Sequence, residues 1–249
     1  MQLYFIRHGQ SENNAWWAQH QSKDAPRVPD PGLTDIGHQQ AERVAQFLAQ
    51  KETAQPEPEH RDTHNRSGFF LTHLYTSLML RAVNTADYIS QACDLPMITW
   101  EEIHEWGGIY KKDTDSQEKT GLPGPNRAFF AENFPGLQLP NCLNESGWWN
   151  RPYEPFEAAE PRAQKVAAEL LARHGNTQDR VAMVSHGGFG FMLLKALLDF
   201  TSPNTTLGQP RNIWFSMNNT AITRIDFGPD YFALAYLNRL DHLPAQLIT

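Results

Sequence analysis

Three short apolar, β-prone runs each end abruptly on basic, hydroxyl or glycine residues. They are Phe5-Ile6-Arg7-His8-Gly9, Leu74-Tyr75-Thr76-Ser77 with Arg81 four residues on, and Ala182-Met183-Val184-Ser185-His186-Gly187-Gly188. Helical periodicities separate them. Ala41, Val44, Ala45, Phe47 and Leu48 follow Asp30-Pro-Gly-Leu-Thr-Asp-Ile-Gly37, with Thr34 placed to cap, and predict a helix over 34–50. Ala82, Ala86, Ile89 and Ala92 predict another over 81–93, and two more are expected over 158–173 and 188–198. The remaining β-prone stretches are 2–6, 69–76, 97–100, 180–184 and a hairpin over 221–237 turning at Gly228-Pro229. Strands that alternate with helices demand a mainly parallel sheet covered on both faces, an α/β fold built as a three-layer α/β/α sandwich.

In such a sheet the carboxyl ends of parallel strands open onto one crevice, where ligands bind. Arg7, His8, Arg81 and His186 then converge in a chain whose net charge is −7. A local cation cluster in an acidic protein fits an anionic ligand. Phosphate fits best, because arginine forks match its oxygens and helix-start N–H groups hold the rest. The same balance, 21 Lys and Arg against 28 Asp and Glu with no basic run beyond Lys111-Lys112, argues against nucleic acid and anionic membranes as partners. No stretch has the length of a membrane span or the pattern of a secretory leader, and two cysteines without a CxxC neighbour point to the cytoplasm.

The chain is read as one domain over 1–249. Residues 51–67 are polar, without periodicity, and expected to form an exposed loop. Residues 111–155, rich in Gly, Pro, Asn and aromatics, are too long for an ordinary connection and are expected to be an inserted cap or lid. Trp16 and Trp17 are candidates to line the ligand cavity, with core packing the equal alternative. His104 reads as a packing or exposed residue, and the Asn218-Asn219-Thr220 turn is left without a role.

These motifs resemble the histidine phosphatase superfamily, the group that contains the cofactor-dependent phosphoglycerate mutases. Arg7-His8-Gly9-Gln10-Ser11 with Asn14 is similar to its N-terminal signature, and Leu33-Thr34-Asp35-Ile36-Gly37 to its first helix entry. Thr76-Ser77 through Arg81-Ala82 resembles its second arginine motif, and Ser185-His186-Gly187-Gly188 its second histidine motif. The resemblance implies that His8 is the nucleophile toward phosphorus. Arg7, Arg81 and His186 would neutralise the phosphoryl oxygens, with Asn14 and the Gly187 N–H as further donors. It also implies that no metal and no cofactor is required. The family's proton-donating glutamate is sought in Thr99-Trp-Glu-Glu-Ile-His-Glu-Trp-Gly-Gly108, where Glu105 is chosen and Glu102 held in reserve.

The activity expected from this resemblance is hydrolysis of a small phosphorylated metabolite through phosphohistidine. The alternatives are a phosphoglycerate mutase and a non-catalytic phosphoester-binding module. Residues 111–155 carry Lys111, Lys112, Lys119, Arg127 and Arg151 among many aromatics rather than the arginine-rich cap associated with the mutases, which favours the phosphatase. No heptad or apolar stripe indicates an oligomeric state.

Overall fold

The computed structural model describes residues 1–21, 27–50, 62–198 and 214–249. At its centre is β1 (Gln2–Arg7), whose Leu3, Tyr4, Phe5 and Ile6 are all buried, as a strand covered on both faces must be. It runs parallel to β7 (Arg180–Ser185) on one side and antiparallel to β8 (Ile222–Phe227) on the other. Beyond β7 lie β2 (His73–Thr76), β3 (Met97–Thr99) and β6 (Leu137–Gln138), each parallel to its neighbour. Beyond β8, β9 (Phe232–Arg239) completes the order β6-β3-β2-β7-β1-β8-β9.

Successive strand side chains face opposite ways, and each face has its own helices. Tyr4, Ile6, Leu74, Ala182 and Val184 share a core with Val44, Ala45 and Leu48 of α2 (Asp35–Ala49) and with Ala82 and Ile89 of α3 (Leu80–Cys93). Leu3, Phe5, Tyr75, Val181 and Met183 pack with Ala163, Val166 and Leu170 of α5 (Ala159–His174) and with Phe189 and Met192 of α6 (Gly187–Leu197). The fold is thus the α/β three-layer sandwich that the alternation demands. No helix among the described residues is long and apolar enough to cross a membrane.

Register decides where chemistry is possible. Arg7 pairs with Ser185, and Thr76 with Val184, so β1, β2 and β7 stop side by side. The residues that follow each strand therefore share one end of the sheet.

Three elements differ from expectation. β2 begins at His73 rather than 69, because Phe70 has φ 48°, a left-handed conformation that turns the backbone out of extended geometry before the ladder starts. An unanticipated helix, α1 (Glu12–His20), follows the first motif. It buries no residue and so leaves no apolar stripe in the sequence; its signature is a capping box between Ser11 and Asn14. Of the loop expected over 51–67, residues 51–61 lie outside the described residues. The 111–155 segment reaches the sheet itself. After a hairpin of β4 (Tyr110–Lys112) and β5 (Lys119–Gly121) comes α4 (Arg127–Asn133), and β6 then adds a strand beside β3. Phe130, Trp148 and Trp149 are buried in the α2 and α3 side of the core.

Candidate active site

His8 follows β1 immediately, and its backbone is tied on both sides. Its N–H donates to Ser185 O at 2.9 Å, and its carbonyl accepts from Asn219 Nδ2 at 2.9 Å. The ring Nδ1 lies 2.6 Å from Gly9 O. A carbonyl only accepts, so Nδ1 holds the proton and the neutral ring keeps its lone pair on Nε2. That nitrogen accepts from Arg81 Nε at 3.1 Å. Gly9 is required because the loop presses on α2: a Cβ at Gly9 would lie 2.6 Å from Gly37 O, and one at Gly37 would lie 2.1 Å from Gln10 O. Two glycines from separate motifs therefore form one backbone contact.

His186 caps the start of α6 and is completely buried, its ring centroid 5.1 Å from that of His8. Its Nε2 is 2.7 Å from Ser77 Oγ. Because that oxygen already accepts the Met79 N–H, its own proton is available to Nε2. Nδ1 is buried without a hydrogen-bond partner among the described residues. Burial holds both imidazoles well below their ordinary pKa, and the adjacent Arg81 guanidinium pushes the same way, joined by Arg7 at His8. Both rings are therefore neutral at physiological pH.

The cations are held from behind. Arg7 donates through Nη1 to Met217 O, while its Nε is buried beside Gly187 without a hydrogen-bond partner among the described residues. Arg81 gives NH2 to Met79 Sδ at 3.1 Å, and its NH1 lies 3.7 Å from Asp30 Oδ1. Burial lowers its pKa to about 10, against the opposing pull of Asp30. Burial also pushes the Asp30 carboxyl up to about 6, opposed by Arg81. Asn14 Oδ1 is engaged by Ser11 and by Asn219 Nδ2 at 3.2 Å, which leaves its own amide N–H groups as donors.

The three glutamates have separate surroundings. Glu105 accepts the N–H groups of Trp106 at 3.0 Å, Gly188 at 2.9 Å and Phe189 at 2.8 Å, sitting on the first turn of α6. Glu102 lies 3.7 Å from Lys165, and Glu101 pairs with Arg151. Among the described residues that line the cavity, Glu105 is the only one of the three. The loop is set by Arg162 of α5, whose NH1 donates to Glu102 O at 2.6 Å and His104 O at 2.9 Å while its other nitrogens grip Glu154. His104 is buried edge-on to Trp149, a packing residue.

A cavity of about 300 Å³ stands over these groups. Arg7, His8, Asn14, Arg81, Glu105 and Gly187 line it; His186 does not, although its ring adjoins that of His8. Arg27, Tyr110, Trp214 and Phe215 also line it, with the Arg27 guanidinium 4.5 Å from the Tyr110 ring centroid. None of the described lining residues comes from 111–155, whose aromatics instead build the sheet edge. Trp16 and Trp17 do not line it either. Trp16 stacks on His20 and Trp17 is exposed, because α1 turns that side of the helix to solvent. Among the described residues, no three His, Cys, Asp or Glu side chains in the cavity bring ligand atoms together as a metal would require.

Sequence reading missed Arg27, Asp30, Arg162 and Asn219. The first two are lone residues between turn formers, without periodicity to mark them. Asn219 carried a signal, a polar pair directly before a buried strand.

The family model of the histidine phosphatase superfamily (branch 1) matches residues 3–56 and 64–240. No curated protein sequence matches the chain. Among solved structures the chain is similar to a phosphoserine phosphatase from Entamoeba histolytica in complex with 3-phosphoglyceric acid, with 21% identity, 98% and 99% of the two chains covered and TM-score 0.56. It is also similar to a mycobacterial glucosyl-3-phosphoglycerate phosphatase, at 19% identity, 95% and 98% coverage and TM-score 0.54. YhfR of Bacillus stearothermophilus matches at 20% identity, 97% and 98% coverage and TM-score 0.54. With its motifs gathered at one sheet end and the family model spanning nearly the whole length, the chain belongs to the histidine phosphatase superfamily.

Proposed function

We propose that the protein hydrolyses a small phosphomonoester through a phosphohistidine formed at His8. The observation that carries this reading is the His8 ring itself. Its proton is fixed on Nδ1 by Gly9 O, and its lone pair points from Nε2 into a cationic cavity. On substrate binding the Arg81 guanidinium exchanges that nitrogen for phosphoryl oxygens, and Arg7, Asn14 and the Gly187 N–H complete the cradle. Nε2 then attacks phosphorus as the ester P–O bond breaks, and Glu105, carrying a proton, delivers it to the departing oxygen. In the second half, water gives a proton to Glu105 and its hydroxyl to phosphorus. The N–P electron pair returns to His8.

Arg7 and Arg81 supply the positive charge that phosphoryl transfer needs, so the reaction runs without a metal. The cavity volume suits a metabolite, and the similar structures named for phosphoserine and glucosyl-3-phosphoglycerate support that class. Arg27 on the cavity lining, with its Nε buried and without a hydrogen-bond partner among the described residues, offers a second anionic group on the substrate a partner. With two cysteines in 249 residues, a cytoplasmic location is part of the proposal.

Hydrolysis of p-nitrophenyl phosphate in EDTA by wild type and His8→Ala tests it. Turnover is expected from wild type, with a loss of roughly 10³-fold or more in the variant. Equal rates would remove His8 from the mechanism. Conversion of 3-phosphoglycerate to its 2-isomer, primed with 2,3-bisphosphoglycerate and without phosphate release, would replace hydrolysis by the mutase reaction.

A further inference from the structure

At the opposite end of the sheet, three side chains from separate elements converge. His73 opens β2, His174 closes α5, and Asp179 stands in the turn before β7. One ligand atom from each lies within 4.8 Å of the others. We propose that His73, His174 and Asp179 form a binding site for a divalent transition metal of the zinc, cobalt and nickel class.

His174 Nδ1 already meets Asp179 Oδ2 at 2.8 Å, which a simple hydrogen-bonded pair explains. His73 Nδ1 lies 2.9 Å from the neighbouring Thr72 Oγ1 and 4.0 Å from Asp179 Oδ1, too far to hydrogen-bond with the latter, while its ring stands edge-on to His174 with centroids 4.7 Å apart. Coordination would replace the Thr72 contact and leave that hydroxyl its bond to Arg180 O at 3.3 Å. A tetrahedral ion about 2.1 Å from each donor holds donors roughly 3.4 Å apart, a separation these side chains reach by small rotations.

The outer contacts suit the same role. His174 Nε2 is 3.0 Å from Tyr75 OH, a hydroxyl able to donate or accept. When Nδ1 gives up its proton to coordinate, Nε2–H donates to Tyr75, and the ring orientation is kept. Imidazole donors select a borderline metal over magnesium or calcium. His174 is nearly buried, whereas the His73 and Asp179 side chains are 32% and 26% exposed. The ion thus has an entry path and room for water in the remaining position. It would tie the start of β2 to the end of α5 and the entry of β7, far from His8.

Isothermal titration of the full chain with Zn²⁺, and absorption spectroscopy with Co²⁺, test the site in wild type, His73→Asn, Asp179→Asn and His8→Ala. Wild type and His8→Ala are expected to bind one ion, with visible Co²⁺ d–d bands and a melting temperature raised by Zn²⁺. His73→Asn and Asp179→Asn should each weaken binding by roughly tenfold or more while melting as wild type does in EDTA. Phosphatase activity in EDTA should be unchanged in His73→Asn. Absence of binding at submillimolar metal, or binding unaltered in His73→Asn, would overturn the proposal. Binding lost only in His8→Ala would place the ion in the cavity and overturn it equally.

Discussion

Asp30 and Arg81 meet inside the protein, with carboxylate Oδ1 3.7 Å from guanidinium NH1, while Nε of the same arginine touches His8 Nε2 at 3.1 Å. The acid is thereby one residue removed from the nucleophile. Protonation of Asp30 as pH falls through about 6 weakens the anchor of Arg81. Asp30→Asn is expected to lower kcat/KM by about tenfold and to flatten the part of the acid limb near that pH. Its folded pKa, about 6, exceeds the ordinary aspartate value of 3.8, so the group stabilises the fold at low pH and loses that contribution as pH rises through 6. The loss is about 3 kcal/mol at most. Between roughly pH 4 and 7, the melting temperature of wild type should therefore fall relative to Asp30→Asn. Parallel melting curves across that range would refute the linkage.

The buried histidines act in the opposite sense. His8, His104 and His186 all have folded pKa values well below 6.5, so the unfolded chain binds more protons as pH drops below that value. Three such groups outweigh one aspartate. Melting temperature is expected to decline steadily as pH falls from about 7 to about 5, measured by calorimetry at constant ionic strength.

Glu105→Gln and Glu102→Gln separate the proton donor from its neighbour. With p-nitrophenolate as leaving group, both variants should stay close to wild type, since that oxygen needs no proton. With an alkyl phosphate, Glu105→Gln should lose roughly 10²-fold in kcat and Glu102→Gln little. The reverse order would move the role to Glu102.

Arg27 lines the cavity with its guanidinium over the Tyr110 ring. If it receives a second anionic group, Arg27→Ala should raise KM for phosphoserine or 3-phosphoglycerate by about tenfold, some 1.4 kcal/mol, and leave p-nitrophenyl phosphate unaffected. An equal effect on both substrates would show that Arg27 contributes only general positive potential.

Arg162 holds the glutamate loop through two backbone carbonyls and the Glu154 carboxylate. Arg162→Ala strands those acceptors and a largely buried charge, and is expected to destabilise the protein by about 3 to 5 kcal/mol in urea denaturation. Its remaining folded fraction should show the same leaving-group dependence as Glu105→Gln.

The sheet and the cluster at the strand ends were legible because both rest on local signals. An apolar run that stops on Arg-His-Gly or Ser-His-Gly announces a strand and its terminal chemistry together, and Arg7, His8, Arg81 and His186 do meet where those strands end. Asp30 and Arg27 were not legible, since a side chain that acts across space from a turn has no period in the sequence. The aromatics of 111–155 signalled burial correctly but not the surface they bury against; Trp148 and Trp149 pack into the core, and the aromatic lining of the cavity comes from Trp106, Tyr110, Trp214 and Phe215. Glu105 is preferred to Glu102 in the sequence for the Trp-Gly-Gly that follows it, but nothing there shows that the start of α6 lies beneath its carboxylate.

The contact between Gly9 and Gly37 gives α2 a part in catalysis without any catalytic group. Backbone touches backbone there, so the helix serves as a rigid stop that fixes how far the His8 loop can retreat from a bound phosphate. Any local opening of α2 is transmitted to His8 without side-chain slack to absorb it. Activity should consequently fade at temperatures where α2 frays, before the sheet as a whole gives way.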